Sequence, residues 1–508
     1  MSKTRTVIGK YVKITHGDHN MSSEGHIISK AAIEVREKGN EKGVSHNNFE
    51  RKGSDVNDDF MISFSLNKKD NTLVPLGILD YENNYENPFF SFNYSLNLSN
   101  LDFLNFEIFN EEGNLIYQMG YLQPIVITAK KKPLVLKEVQ SKVPTYDPIK
   151  PFKTFDFLSV FQNYQEPDFT RIGSYVIHWD GFNNNDIFDS TIFNGKTLKA
   201  KIIAKKGEKE KSLEVEFTTE RTEVNWVDVK IDRKNKRIDT TLRVNLKDGG
   251  EKGLSCSSTT IQKADYEEAS QRLGVENPIK DSTITFCDWD KVPKADLIAG
   301  KLLIKSRTRS FADLEKLAID GLNYHWGRNA NHAVAKNVNI VNDKYEVSMN
   351  AVNTTENSMD DVSLVYNTNG NWMRSGNPGT ATWNPISWVG NAISREAICY
   401  NVGYIKGNTW RYREGFNEDI DFKFTSAHEV GHEILKSYGG TVYSYGHKGS
   451  VNVVTQSMKK DAPEFTEKGE IDIMPYYPSD PPINQFNRYV AAEKDVLSLI
   501  WLTKIEIK

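Results

Sequence analysis

Short runs in which apolar and polar residues alternate dominate the chain from about residue 59 to residue 254. Successive side chains of a strand point to opposite faces, so a period of two predicts half-buried β-strands. Segment 198–204 is followed by 213–217 across a turn at Gly207, and segment 227–231 is followed by 238–244. Each pair predicts an antiparallel hairpin, and a third is predicted from 105–109 and 115–117.

From about residue 255 the pattern changes to a mixture of helical and strand periods. Segment 311–326 places Phe311, Leu314, Ala318 and Leu322 at helical spacing. We predict strands at 345–349, 363–366 and 397–404, then a helix that carries a histidine pair, and a last helix at about 487–502. This half of the chain is therefore expected to be α+β.

The chain has 508 residues, which is too long for one hydrophobic core, so we predict two to four domains. Segment 173–181, which reads Gly-Ser-Tyr-Val-Ile-His-Trp-Asp-Gly, resembles Ig-like modules of bacterial surface and export proteins. The expected fold class is a multidomain protein with N-terminal antiparallel β-domains, Ig-like or β-sandwich, followed by an α+β domain. The predicted divisions are an irregular N-terminal segment at 1–58, a β-domain at 59–133, a proline-rich linker at 134–152, an Ig-like second β-domain at 153–254 and the α+β domain at 255–508.

Composition restricts the classes of function. The net charge of −4 is spread along the chain, which argues against a nucleic-acid-binding surface. No apolar run approaches the ~20 residues of a membrane-spanning helix, and the first residues lack the apolar segment of a signal peptide. We expect a protein that is cytoplasmic before export, with secretion by a route that needs no signal peptide. Three cysteines predict free thiols, with a Cys256–Cys287 bridge as the alternative.

The run His428-Glu429-Val430-Gly431-His432 is the strongest functional motif in the chain. Residues four apart project from the same side of a helix, so the two imidazoles lie one turn apart. They would supply half of a tetrahedral zinc site, and Glu429 can act as general base toward a metal-activated water. We predict Thr425 or Ser426 as the helix cap and Gly439-Gly440 as the helix end.

A catalytic zinc ion takes a third protein ligand. The nearest downstream histidine is His447, which lies between Gly446 and Gly449, so the chain can turn back over the helix end there. We predict His447 as this ligand. Downstream carboxylates are the alternatives: Glu464, Glu467, Glu470 and Asp472.

The segment Ile471-Asp472-Ile473-Met474-Pro475-Tyr476-Tyr477 places a methionine two residues before a tyrosine, downstream of the histidine pair. This arrangement resembles the Met-turn of metzincins, although Leu435 and Tyr438 stand where that family has a glycine and its third histidine. The resemblance implies that Met474 packs beneath the metal and that Tyr476 stabilises the transition state.

The stretch from Phe311 to the end thus resembles zincin metallopeptidases, with its closest likeness to metallopeptidase toxin or effector domains at the C-terminus of multi-domain bacterial proteins. Segment 8–20 is similar to sequences tied to type VI secretion spikes. These resemblances imply a zincin-like domain, Zn²⁺ as cofactor, a protein or peptide substrate, and secretion as an antibacterial or anti-host endopeptidase. They also imply a secretion-spike protein and a cognate immunity protein as partners.

Two other readings of the chain are a non-enzymatic secretion-apparatus or binding protein with an inactive zincin domain, and a housekeeping cytoplasmic peptidase. The roles of two further groups of residues stay open. Trp372, Trp383 and Trp388 either line a substrate groove or pack internally. His325 and His332 are expected at a capped helix end rather than in the active site.

Overall fold

β-Strands make up most of the regular structure in the computed structural model, which describes residues 60–67, 72–97, 101–120, 173–261, 282–297, 302–378, 397–412, 415–445, 464–477 and 482–508. All of these residues belong to one unit, Phe60–Lys508. The strands are β1 (Ile62–Leu66), β2 (Thr72–Leu73), β3 (Phe90–Leu96), β4 (Phe103–Phe109), β5 (Leu115–Gly120), β6 (Gly173–Trp179), β7 (Ile187–Asp189), β8 (Lys196–Lys206), β9 (Lys209–Arg221), β10 (Val227–Asp232), β11 (Arg237–Lys252), β12 (Cys256–Ile261), β13 (Ser282–Cys287), β14 (Val338–Ile340), β15 (Asp343–Asn353), β16 (Asp361–Asn367), β17 (Ala397–Asn401), β18 (Tyr404–Lys406), β19 (Thr409–Arg411), β20 (Ile471–Asp472), β21 (Tyr489–Val490) and β22 (Ile505–Ile507).

The three hairpins predicted from alternation are confirmed. Strands β8 and β9 pair antiparallel with Leu198 opposite Phe217, and β10 pairs with β11 with Val227 opposite Leu242. Strands β4 and β5 form the third pair. These hairpins are local, so the alternation of a single segment and one turn are enough to specify them.

A six-stranded sheet has the order β2-β22-β9-β8-β4-β5, and a three-stranded sheet has the order β1-β3-β6. Their inner faces pack through aromatic rings: Phe92 of β3 lies 5.1 Å from Phe106 of β4 and 5.6 Å from Phe217 of β9, between ring centroids. Phe92 and Phe106 are fully buried. The predicted antiparallel, β-rich character is therefore present in this half of the molecule.

The largest sheet has seven strands and is built around β11. Strand β11 is antiparallel to β10 but parallel to β15 and β16, and β16 is in turn parallel to β17. Strand pairing therefore crosses the predicted division at residue 254, because β11 joins both sides of it. The predicted segment 1–58 and the predicted linker at 134–152 lie outside the described residues.

Three α-helices occur in the described residues: α1 (Phe311–His325), α2 (Phe416–Tyr445) and α3 (Glu493–Trp501). Helix α1 agrees with its prediction and is capped by Ser310, whose hydroxyl oxygen accepts a hydrogen bond from the Asp313 backbone N–H. Helix α3 is shorter than predicted, because Tyr489–Val490 forms β21 and pairs with β20. Within these helices, no segment has the length and apolar character needed to span a membrane.

Helix α2 is the element that carries the histidine pair, and it begins nine or ten residues before the two predicted cap positions. Phe416 starts the helix, so Thr425 and Ser426 lie inside it and the predicted cap is wrong. Gly415 precedes the helix with φ +67, and two carboxylates, Glu418 and Asp419, occupy its first turn. Negative charge at that end is favourable because the backbone N–H groups there carry partial positive charge.

The described structure also corrects the prediction of three free thiols. Cys256 and Cys287 stand opposite each other on the antiparallel pair β12 and β13, with a Cα–Cα distance of 3.9 Å, and form a disulfide. Cys399 is buried in β17. The spacing of the cysteines does not reveal the bridge, because the register of the strand pair decides it.

Candidate metal centre and active site

Helix α2 presents His428, Glu429 and His432 together. The two imidazole rings are perpendicular, with their centroids 4.9 Å apart. Both histidines are buried, whereas Glu429 keeps partial exposure to solvent. The spacing of four residues therefore brings the rings together on one side of the helix, as predicted.

Hydrogen bonds fix the tautomer of both rings. His428 Nδ1 lies 2.9 Å from the carbonyl oxygen of Ile473, which can only accept, so this nitrogen carries the proton. His432 Nδ1 lies 3.1 Å from the Ser444 hydroxyl, and that hydroxyl donates to the His432 carbonyl at 2.6 Å. Since the serine proton is used there, His432 Nδ1–H donates to the serine oxygen. Nε2 is then the basic nitrogen of each ring, the form that binds a metal ion.

Ser444 reaches His432 because α2 is interrupted one turn before it. Gly440 has φ +80 and ψ 175, which breaks the helical path and turns the chain back. A side chain is strained at such a φ, and glycine is not. The helix end predicted at Gly439-Gly440 is thus present as a break inside α2, with helical structure again up to Tyr445, and the break brings a residue twelve positions after His432 back to its ring.

Gly431 lies against a sulfur atom and an indole ring. A Cβ built on Gly431 would be 2.8 Å from both Met474 Sδ and Trp326 Cζ2, distances that real Cβ atoms do not show. The Trp326 indole N–H also donates to the carbonyl of Ala427, at 3.0 Å. Glycine at this position therefore allows Met474 and Trp326 to pack directly against the motif helix.

Tyr476 stacks on His428, with ring centroids 5.6 Å apart and an angle of 21° between the planes. Burial, followed by the negative charge of Glu429, raises the pKa of Tyr476, so the phenol stays protonated at neutral pH. Burial also raises the pKa of Glu429 to about 7, against the opposing charge of Arg374. A carboxyl group with a pKa near neutrality is suited to exchanging protons.

Arg374 is a residue of this site that the sequence analysis missed. Its positive charge acts on the pKa of Tyr476, Glu429 and His428. Burial is the main cause that lowers the pKa of His428 to about 4, with Arg374 adding to it. No local pattern marks Arg374, because it comes from a separate segment after β16.

The predicted third ligand, His447, lies outside the described residues. Among the alternatives, Glu470 is held by Arg328 through two contacts of 2.6 and 2.7 Å, and the carboxylate of Asp472 accepts from the Met474 backbone N–H. Within the described ranges, no three His, Cys, Asp or Glu side chains group as a metal site. Tyr438 is turned away, since its hydroxyl donates to the Leu79 carbonyl.

His325 and His332 lie at the end of α1, as expected for a structural role. His325 Nδ1 is 2.7 Å and His332 Nε2 is 3.2 Å from the same carbonyl oxygen, that of Tyr489. Backbone N–H groups of Val334 and Ala335 donate to His332 Nδ1, so its Nε2 carries the proton. The two rings therefore tie α1 to β21. Trp383 and Trp388 lie outside the described residues, and Trp372 packs under the Lys406 ammonium at 4.1 Å.

Neither a scan against protein-family models nor a search of curated proteins finds a match for this chain.

Proposed function

We propose that this protein is a zinc-dependent endopeptidase with a zincin-like catalytic domain. The observation that carries the proposal is the pair of imidazoles on α2, each fixed as the Nδ1–H tautomer, beside the carboxyl group of Glu429. Two such rings suit zinc, which binds neutral imidazole nitrogen and keeps an open position in catalytic sites. Met474 beneath Gly431 and Tyr476 on His428 support the likeness to a Met-turn.

Zinc, which His428, His432 and His447 would hold, would supply Lewis acidity: it would polarise the peptide carbonyl and lower the pKa of the attacking water. Glu429 accepts the proton of the attacking water and returns it to the leaving amine. Tyr476 donates its phenolic hydrogen to the carbonyl oxygen as that oxygen becomes negative. Ser444 and the Ile473 carbonyl hold the two imidazoles in their tautomers.

His447 is the third ligand in this proposal. Two alternatives already have structural partners, because Glu470 pairs with Arg328 and Asp472 binds the backbone of the Met-turn segment. Glu464 and Glu467 are exposed. His447 follows Ser444, which binds His432, by three residues in sequence. The proposal therefore predicts that His447→Ala removes zinc binding, whereas Glu467→Ala retains it.

We further propose that the enzyme acts outside the cytoplasm of the producing cell, as a secreted antibacterial or anti-host effector. The disulfide between Cys256 and Cys287 supports this, since disulfides persist in oxidising compartments and are rare in the cytosol. Export in association with a secretion-spike protein, and restraint by an immunity protein before export, complete this proposal.

The decisive experiment compares the wild type with Glu429→Gln, with Glu433→Gln as a matched control on the same helix. Glu433 lies one turn further along α2 and pairs with Lys436 at 3.3 Å. Metal analysis should find about one zinc ion per chain in all three proteins. Mass spectrometry of new N-termini in a treated cell lysate should detect cleavage by the wild type and Glu433→Gln. Glu429→Gln should be slower by ~10²–10⁴-fold.

Three results would contradict the proposal. A chelator-free preparation without zinc and without affinity for it would exclude the metal site. Equal cleavage by the wild type and Glu429→Gln would exclude Glu429 as the general base. Cleavage by neither protein would favour a binding protein with an inactive domain.

A further inference from the structure

A loop between β2 and β3 packs against the C-terminal end of α2. This loop consists of residues 79–84 and is here called the 79–84 loop. The Asp80 carboxylate accepts hydrogen bonds from the backbone N–H groups of Glu82 and Asn84, at 2.9 and 2.7 Å, and from the Asn84 side-chain amide at 3.0 Å. The Asp80 N–H in turn donates to the Asn84 carbonyl at 3.1 Å. These bonds hold the loop in a defined shape.

Hydrogen bonds and ring contacts join this loop to two helices. The Tyr438 hydroxyl of α2 donates to the Leu79 carbonyl at 2.8 Å. The Lys494 ammonium of α3 donates to the Tyr81 carbonyl at 2.9 Å. The Tyr81 ring meets the rings of Tyr438 and Tyr443 edge-to-face, with centroids 6.4 and 6.0 Å apart. The 79–84 loop therefore contacts both of the tyrosines that flank the break in α2.

The Tyr443 ring fixes the direction of the chain after the break at Gly440. A Cβ built on Gly439 would lie 2.6 Å from Tyr443 Cγ, so a glycine at 439 lets the ring pack directly on the helix backbone. Val442 is exposed, whereas Tyr443 and Ser444 are buried. Because a glycine at the break permits many backbone directions, side-chain packing has to select one of them. The buried Tyr443 ring supplies that packing.

Ser444 follows Tyr443 directly and connects this turn to the proposed metal site. Its oxygen lies 3.1 Å from His432 Nδ1, and its hydroxyl donates to the His432 carbonyl at 2.6 Å. A separation of 3.6 Å no longer counts as a hydrogen bond, so a shift of ~0.5 Å at Ser444 is enough to lose the contact with Nδ1. The position of the Tyr443 ring therefore decides whether this contact is kept.

We infer that Tyr81 is a positioning residue of the proposed metal site, which packs on Tyr443 and so holds Ser444 against the His432 ring. The inference rests on the proposed function, in which His432 is a zinc ligand. It makes the 79–84 loop, which lies more than three hundred residues before His432 in the chain, a part of the support of that ligand. An aromatic pair contributes about 2–10-fold to an equilibrium constant beyond its buried area.

The first test measures zinc affinity by chelator competition in Tyr81→Ala, Ser444→Ala and the double variant. Tyr81→Ala should bind zinc roughly 3–30-fold more weakly, because two ring contacts are lost. The double variant should stay within about threefold of Ser444→Ala, since both changes act on the same hydrogen bond. Tyr81→Phe keeps the ring and should bind zinc as the wild type does. Val442→Ala, which changes an exposed side chain of the same turn, is the matched control.

A second measurement needs no zinc. In metal-free protein with ¹⁵N-labelled histidine, the ring resonances report which nitrogen carries the proton. His432→Gln identifies the His432 signals by their loss. Tyr81→Ala should shift these signals in the same direction as Ser444→Ala does. The signals of His325, at the end of α1, should stay in place and serve as the internal control.

A second variant guards against a loss of folding. Tyr81 is 40% exposed, so Tyr81→Ala is expected to fold, and denaturation curves check this. Tyr81→Leu removes the ring but keeps apolar volume, and it should change zinc affinity and the His432 signals in the same direction.

The outcomes separate the inference from the proposed function. Unchanged zinc affinity and unmoved His432 signals in folded Tyr81→Ala overturn the inference, because the loop then only stabilises the fold. Additive losses in the double variant also overturn it, since Tyr81 would act by a route other than Ser444. A wild type without affinity for zinc overturns the proposed function, and the histidine spectrum alone then decides whether the loop positions His432.

Discussion

The crossing of α1 and α2 allows a prediction that runs against helix propensity. Gly321 lies inside α1, where Ala would ordinarily stabilise a helix by about 1 kcal/mol. A Cβ at Gly321, however, would lie 2.2 Å from the carbonyl oxygen of Lys423 and 2.7 Å from its carbonyl carbon. These are backbone atoms of α2, five residues before His428, so they cannot rotate away.

The size of the effect follows from these distances. To reach 3.0 Å, below which real Cβ contacts are essentially never found, the two helices must separate by about 0.8 Å. Overpacking of a well-packed core costs about 1–3 kcal/mol, and a backbone clash belongs at the upper end of that range. After the propensity gain is subtracted, Gly321→Ala should lower the free energy of unfolding by ~2 kcal/mol.

Guanidinium denaturation followed by tryptophan fluorescence measures this change. Gly370→Ala is the matched control, because the nearest atom to its Cβ would be the Thr368 carbonyl oxygen at 3.7 Å, an ordinary contact. The control should stay within about 0.5 kcal/mol of the wild type. A Gly321→Ala protein as stable as the wild type, or more stable, would refute the close crossing of the helices.

Three further predictions test the site and its surroundings. Gly431→Ala should lower the free energy of unfolding by about 1–3 kcal/mol. The double variant with Met474→Ala should lose less than the sum of the two single losses; strictly additive losses in denaturation would exclude contact between residues 431 and 474. Ser444→Ala should weaken zinc binding by ~10–100-fold, because the serine oxygen holds His432 Nδ1; unchanged affinity in a chelator competition would contradict this. Burial lowers the pKa of His325 to about 4 in the folded protein, so the unfolded state binds the extra proton below pH 6.5 and stability should fall as the pH drops from 6.5 to about 4. This loss should reach ~3 kcal/mol at most. In urea unfolding measured across this pH range, His325→Gln should reduce the dependence of the free energy of unfolding on pH. An unchanged pH dependence would contradict the assignment to His325.

The sequence predicted those features that depend on nearby residues. Hairpin β8–β9 follows from alternation and a turn, and helix α1 from apolar residues at helical spacing, in each case within a short segment. The break at Gly440 follows from two adjacent glycines. In each case local backbone preference and burial favour the same conformation, so tertiary contacts have little to override.

Features that depend on distant contacts were not predictable in the same way. The parallel pairing of β11 with β15 joins segments about one hundred residues apart, and no local signal gives that partner or register. Arg374 joins the site only through the segment that follows β16, and Ser444 only through the turn after Gly440. The cap of α2 was misplaced because Thr425 and Ser426 are good cap residues, whereas packing extends the helix back to Phe416.

The six-stranded sheet cannot be completed until β22 has been synthesised. This strand pairs with β2 on one side and with β9 on the other, and Ile505 lies about 280 residues after its partner Arg221. At ~5–20 residues per second, a ribosome needs roughly 15–60 s to cover that distance. During that interval β2 and β9 each present an open edge to water and to neighbouring nascent chains. Both edges are therefore closed only once β22 has been made.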